Sequence, residues 1–578
     1  MVVRTILAVA LAAASLTTRP VPAWEIRPNF DLLTDPDLTV PPFDLPALDP
    51  RNPRLWIESL ESSDSNLVRT CVHCIREAHR RGHPGLDAAR PALQQRLGDS
   101  RLGPEARYQL ASALIELDAR DAADVLFGAT DTELLKLLIE PELARWNYEP
   151  VREVWRARIA DANADRQLLK MAFQCLVDVQ DKESISGLAA IALDPLRRSD
   201  IRLAAARAAG QIATTGMESN AARLARAEGT VIDRLCAAAL LDRHASSETQ
   251  SLLAALGVDP EPAVAAAALD ALFRIDPQLV VPLAERSMAS PDAKVRWQGQ
   301  RAYATRPTPD RIAFLGLQLD DPHPDNRGYV CEELFRLAAV PEFDGVVRET
   351  GMTALHAEGW RSQEQAALLL GTLDHKPAAG LLVDRLESDR GEVQIASAWG
   401  LKKLAIPETL PALLDKAIRQ QDQPQGGGFA EQIAHLFEAM AQMGYAEALP
   451  AMRRYVPEAS GPAIARSGAI WGLGLLLAGE PDEGLAAELM ARAADFPGGP
   501  GNPPEDPLVR QMASVTIGRM QASSQLDGLR RIVGPARDLN SDDFAAAWAI
   551  LTITGTPVPD WVPPEVFDIG WPLEAVSE

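Results

Sequence analysis

Between Ile201 and Leu401 one pattern recurs: an apolar anchor, then small or apolar residues three, four, seven and eight positions later. From Ile201 it runs through Ala204, Ala205, Ala208 and Ala209, and from Ile232 through Leu235, Cys236, Ala239 and Leu240. From Val264 it takes in Ala267, Ala268, Ala271 and Leu272, and from Val393 Ala396, Ser397, Gly400 and Leu401. Successive anchors at Ile201, Ile232, Val264, Val295 and Arg327 stand 31, 32, 31 and 32 residues apart. Such positions share one face of a helix. A fixed period of this length is the mark of helix pairs that cannot bury their apolar faces alone and bury them on the next pair. The expected fold is therefore all-α: an α-α superhelix, or solenoid, of stacked helical hairpins. A solenoid presents an extended surface, and that favours binding over catalysis.

The chain has 578 residues, of which 47% are hydrophobic but only 5% aromatic. Alanine and leucine must then supply the packing, which suits helices that approach closely. After the N-terminus no apolar run reaches the ~18 residues that a membrane-spanning helix needs. Residues 1–23 read as an export signal: Arg4 is the basic start, Thr5–Leu16 a short apolar stretch, and Val21-Pro22-Ala23 a small-residue cleavage site. The mature chain is expected to begin at Trp24, in the periplasm or outside the cell. Its removal takes away two arginines and no acid, so the formal net charge of −23 becomes −25. A polyanion is repelled by such a chain, and no basic block offsets the charge, which argues against nucleic acid.

Residues 24–54 form a proline- and aspartate-rich arm expected to be extended. The solenoid is expected over 55–553, with irregular copies anchored at Leu67 and Ala106, and with 131–160 helical but out of step. Loops at 420–428 and 496–507 interrupt it, since their glycines and prolines cannot continue a helix. Asp64, Asp292 and Asp506 stand where helix caps are needed. Residues 554–578 are a second extended segment, whose Trp561 and Trp571 are expected to cover the last helix pair, because terminal repeats need capping.

The elements Val68-Arg69, Ile201-Arg202, Val295-Arg296 and Val509-Arg510, with acids before them and a second amphipathic helix after them, resemble HEAT repeats, in particular the short bacterial HEAT-like kind. The resemblance covers roughly residues 55–550. Val264 is followed by Ala265 and Val393 by Gln394, so an arginine ladder between copies is broken. The resemblance implies architecture firmly and function loosely.

Chemistry was sought residue by residue. Cys71-Val72-His73-Cys74 has redox spacing, but the cap at Asp64 places Cys71 well inside a helix, away from the N-terminus that would lower a thiol pKa. All five cysteines fall where neighbouring copies carry alanine, so small buried thiols are expected. Asp320-Asp321-Pro322-His323-Pro324-Asp325-Asn326 lacks the glycine and distant glutamate of a calcium loop and reads as turn and cap chemistry. Gly426-Gly427-Gly428 has no following Lys-Ser or Lys-Thr. Ser467-Gly468 reads as a small packing position, and His244, His356, His375 and His435 share no pattern. No nucleophile, base and oxyanion donor assemble, and no cofactor or metal is expected.

What remains is surface. In HEAT-like solenoids the second helices line the concave side, and here they carry Lys416, Arg419, Arg453, Arg454, Arg492, Arg530 and Arg531. These form a candidate basic groove for acidic protein partners. Trp297 and Trp399 flank the core stripe as edge packing or exposed anchors. The favoured reading is an exported, non-enzymatic scaffold or adaptor that binds protein. The alternatives are an enzyme or enzyme accessory of the HEAT-like bilin-lyase type, and a structural part of a cell-envelope assembly.

Overall fold

The computed structural model describes residues 48–558 and 571–575, apart from 100–101, 227, 422–428, 497–502 and 534–540, together with Leu32, Pro36 and Leu38. The export signal, residues 24–47 of the arm save those three, the triple glycine and Trp561 lie outside them. Thirty α-helices and no strand occur among the described residues, and the fold is an α-solenoid of helical hairpins. No described helix is long and apolar enough to cross a membrane. The chain divides into two compact units, one on Asp44–Ala302 with the terminal segment from Val566, the other on Tyr303–Glu565.

In the first unit each hairpin has a longer first helix and a shorter second one. Helix Ser199–Ile212 buries Ile201, Ala205, Ala208 and Ala209, and helix Pro262–Ile275 buries Val264, Ala268, Ala271 and Leu272, as the stripe requires. Small side chains on this face let neighbouring backbones meet, and methyl groups fill what space remains. The copy at Ile232 is looser: Cys236 and Leu240 are buried, Ile232 and Leu235 half-buried. The second helix of one hairpin is Ile185–Leu193. The segment after Pro262–Ile275 is broken by Pro282 into two 3-10 turns and the short helix Ala284–Met288. Residues 131–160 form an ordinary hairpin, Glu133–Arg145 and Arg152–Ala160. They looked out of step because Leu135, Ile139 and Leu143 take the places of alanines, and because Pro141 interrupts the pattern.

Caps fix where helices begin. The Asp64 carboxylate accepts from the Asn66 N–H at 2.8 Å, Asp292 from Lys294 at 2.9 Å, and Asp506 from Leu508 at 2.9 Å. Each such cap is worth about 1 kcal/mol. Where an arginine follows the anchor it ties one copy to the next. Arg202 reaches Asp233 at 2.5 Å and Arg510 reaches Asp542 at 2.7 Å, each a repeat further on. The first described helix starts at Arg51, four residues before the expected Leu55, and the last described one ends at Thr554.

The terminal segment departs from expectation. Trp571 lies on the first hairpin of its unit, its ring 5.1 Å from that of Trp56. Sequence proximity favoured the last helix pair, but the first hairpin supplies the Trp56 indole N–H and the Asn52 side chain, which hydrogen-bond the segment's backbone.

Candidate functional site

The second unit differs in how its first helices are buried. Helix Ala430–Gln442 buries ten consecutive residues, Gln432 to Ala441, and helix Ala463–Leu476 buries Ala465 to Gly474. Neighbouring first helices meet backbone to backbone: a Cβ at Gly468 would stand 2.8 Å from the Ala434 Cα, so only glycine fits there. Ser467-Gly468 is thus the small packing position its sequence indicated. Trp399, only 2% exposed, is packing and not an anchor, while Trp297 is half-buried under the Arg301 guanidinium.

A helix buried on every side must pair its polar groups. Glu438 Oε2 accepts from Lys402 Nζ at 2.9 Å and lies 2.8 Å from His435 Nδ1, and all three side chains are closed to solvent. His435 therefore does belong to a cluster, which sequence reading missed. The spacing His435-x-x-Glu438 was visible, but its link to Lys402 crosses 36 residues. At the far end, Arg466 grips Glu505 with two bonds of 2.8 and 2.7 Å. Burial, the strongest influence on Glu505, pushes its pKa up. The bonds from Arg466 and the Asp506 N–H, with the charges of Arg466 and Arg492, outweigh it and hold the carboxyl below its ordinary value.

The seven candidate cations are spread along four second helices, and most meet carboxylates. Lys416 and Arg419 share Glu387 at 3.0 and 2.8 Å. Arg453 reaches Asp482 at 2.6 Å, Arg530 reaches Asp527 at 3.1 Å, and Arg492 lies 3.2 Å from Glu458 and 3.3 Å from Glu505. Arg454 and Arg531 are exposed. The face they make is balanced in charge more than basic.

A different feature of this unit is open and chemically distinct. Second helices Pro309–Leu317 and Pro341–His356 run side by side and leave a slot of about 460 Å³ between them. Ala313, Val346 and Ala354 line it, and Gly359 and Ser362 close one end. Gly316 and Thr350 meet in its floor, where any Cβ on Gly316 would collide with the threonine methyl. Leu317 stands at the edge, 64% exposed. Asp320 and Glu349 border the slot, and neither has a cationic partner among the described residues, although Asp320 Oδ1 accepts from the Ser362 N–H at 3.3 Å, in the first turn of helix Trp360–Thr372. The sequence signal was Ala313, Gly316 and Leu317 on one face of a second helix, two of three too small to fill it.

In the first unit an open notch of about 500 Å³ gathers Gln180, Gln211, Asp242, Arg243 and Arg274 at the ends of first helices. Its charges are largely spent on one another: Arg274 pairs with Asp242, and Arg243 donates to the Gln211 carbonyl at 2.8 Å. The cysteines offer no reactive thiolate. All five are buried and free, and burial pushes Cys74 and Cys236 up to about 11 and Cys175 and Cys331 up to about 12. In the Asp320–Asn326 loop, Asp321 accepts from the His323 N–H at 2.8 Å and from Asn326 Nδ2 at 3.2 Å, which is cap chemistry. No group of three histidine, cysteine or acidic side chains able to hold a metal ion occurs among the described residues.

No family model matches the chain, and no curated protein matches it. Its likeness is to solved structures. It is similar to Kap95p in a structure concerned with its binding to RanGDP and nuclear import complex assembly, at TM-score 0.51 and 14% identity, over 87% of this chain and 72% of that one. Yeast importin-beta (Kap95p) gives TM-score 0.47 at 13% identity over the same shares, 87% and 72%. The CpcE–CpcF phycocyanin lyase complex from Nostoc gives TM-score 0.29 at 18% identity, over 42% of this chain and 87% of that one, too low to carry an argument. At such identities the likeness is one of fold: a HEAT-type α-solenoid.

Proposed function

We propose that the protein is an exported, non-enzymatic scaffold or adaptor that binds protein partners over its solenoid surface, with the slot between Pro309–Leu317 and Pro341–His356 as its principal docking position. One observation carries this: an apolar slot beside an exposed leucine, bordered by two carboxylates with no cation to meet them. Exposed apolar surface with a polar rim is characteristic of recognition sites. The chemistry fits a partner segment with an aliphatic side chain for the slot and a lysine or arginine for the acids. A guanidinium or ammonium that completes Asp320 and Glu349 adds specificity and speeds encounter more than it adds affinity. Export rests on residues 1–23, and N-terminal sequencing of the secreted chain should read from Trp24.

Affinity capture from envelope extract with the mature chain tests the docking position. Ala313→Trp, at an exposed position, fills the slot and should abolish recovery of a stoichiometric partner that the wild type retains. Charge reversal at Arg453/Arg454 and at Arg530/Arg531 should leave recovery unchanged. The opposite pattern moves the site to the arginine-bearing helices.

A further inference from the structure

The segment Trp571–Ala575 sits in its unit as a bound peptide sits in a receptor. The Trp56 indole, fully buried, donates its Nε1–H to the Leu573 carbonyl at 2.7 Å, and the Asn52 side chain, 2% exposed, accepts the Ala575 N–H at 2.8 Å. The Trp571 ring is held by three side chains: tilted against Trp56, edge-on to His83 at 6.1 Å, and beneath the Arg81 guanidinium at 4.8 Å. The receptor is thus one hairpin, Arg51–Ser59 with Ser65–Arg80 and the turn that follows.

Asn52 and Trp56 are one helical turn apart, ~6 Å along the axis. The segment bends at Pro572 and Leu573, with the Trp571 N–H donating to Glu574 Oε1 at 2.8 Å, and runs antiparallel to that helix. Two side chains of one helix face thus reach two main-chain groups of one short bent segment. The bonds go to backbone, which any sequence offers, and the aromatic anchor supplies the selectivity. Nothing in this arrangement requires that the segment belong to the same molecule.

We infer that the first hairpin is a recognition site for short peptides with a tryptophan anchor followed by proline and an aliphatic residue, bound in a bent conformation, and that the chain's own segment Trp571–Ala575 is its resident occupant. A partner segment of that chemistry binds by displacing the tail. Tethering gives the tail an effective concentration on the order of millimolar, so an incoming peptide binds the wild type more weakly than it binds a chain whose tail has lost its anchor. This surface is distinct from the slot of the other unit, and either site stands without the other.

The test uses the mature full-length chain and a fluorescein-labelled synthetic peptide, Trp-Pro-Leu-Glu-Ala-Val-Ser-Glu, the sequence from Trp571 to Glu578, read by fluorescence anisotropy. Trp571→Ala vacates the site and should bind the peptide about tenfold or more tightly than the wild type does. On that background Trp56→Phe, which keeps a ring but loses the N–H, and Arg81→Ala, at a half-buried position, should each weaken binding several-fold. A peptide with its tryptophan replaced by alanine should not bind. Should Trp571→Ala fail to fold, Ala575→Pro removes the N–H that Asn52 accepts, fixes φ at that residue and should likewise tighten peptide binding over wild type. A wild-type dimer on size exclusion that the free peptide dissociates also supports the site, filled there by a second copy's tail. Equal peptide affinity for wild type and the vacated variants, or indifference to both Trp56→Phe and Arg81→Ala, overturns the inference.

Discussion

Helix Arg166–Asp178 in one unit and helix Ala430–Gln442 in the other occupy equivalent places in their hairpins, yet the first buries Leu169, Ala172, Phe173, Cys175 and Leu176 along a stripe while the second buries ten residues in a row. A striped helix can leave one partner of each ion pair in contact with water. Arg156 meets Asp181, and Arg158 meets Glu140 at 2.7 Å: both carboxylates are buried, while the arginines keep partial contact with water. A helix enclosed on all sides cannot. Lys402, Glu438 and His435 are sealed together between two helix axes. Repeats of one period thus produce two kinds of stack, one tolerant at its polar positions and one committed to them.

Breaking the sealed cluster should have the largest effect. Glu438→Ala strands a buried ammonium and should cost about 3–5 kcal/mol, measured as a shift of the second unit's transition in denaturant melts. The double replacement Lys402→Met with Glu438→Leu should recover most of that loss, since an apolar pair of similar volume is often as stable as a buried ion pair. If the single variant is neutral, the second stack is no more committed than the first.

The striped stack is probed by overpacking. Ala205→Leu and Ala268→Leu, at fully buried positions, should each destabilise the first unit by about 1–3 kcal/mol. A neutral result in melts means that the alanine face is not a tight interface, and the contrast between the stacks widens.

A smaller effect distinguishes the units by pH. Because the folded pKa of Glu505 lies below its ordinary 4.5, its contribution is fully present above that pH and is lost as pH falls through the lowered value. The stability gap between wild type and Glu505→Gln should hold steady from neutrality to about pH 4.5 and close below it. A gap independent of pH down to full acid unfolding contradicts the Arg466 pairing.

How much could be read in advance follows the range of the interactions. Stripes, caps and second helices are local, and Asp64, Asp292, Asp506, Ile185–Leu193 and the buried Cys71 and Cys74 were all legible within a dozen residues. The slot at Ala313, Gly316 and Leu317 was not, because a gap between side chains is set by how closely two helices approach. The arginines at 419, 453, 492 and 530 were visible, but their partners Glu387, Asp482, Glu458 and Asp527 belong mostly to neighbouring elements. The placement of the segment from Trp571 was the farthest from legible: Asn52 is 523 residues from the Ala575 it holds, and Trp56 is 517 from Leu573.

Cysteine stands in for alanine on the inward face of four helices spread over both units, so thiol reactivity reports directly on whether small-residue stripes face the interior. Titration of the native chain with Ellman's reagent should find no reactive thiol, and the same titration in denaturant without reductant should find all five. Rapid reaction of several thiols in the native state, or fewer than five after unfolding, would contradict the stacking of these helices.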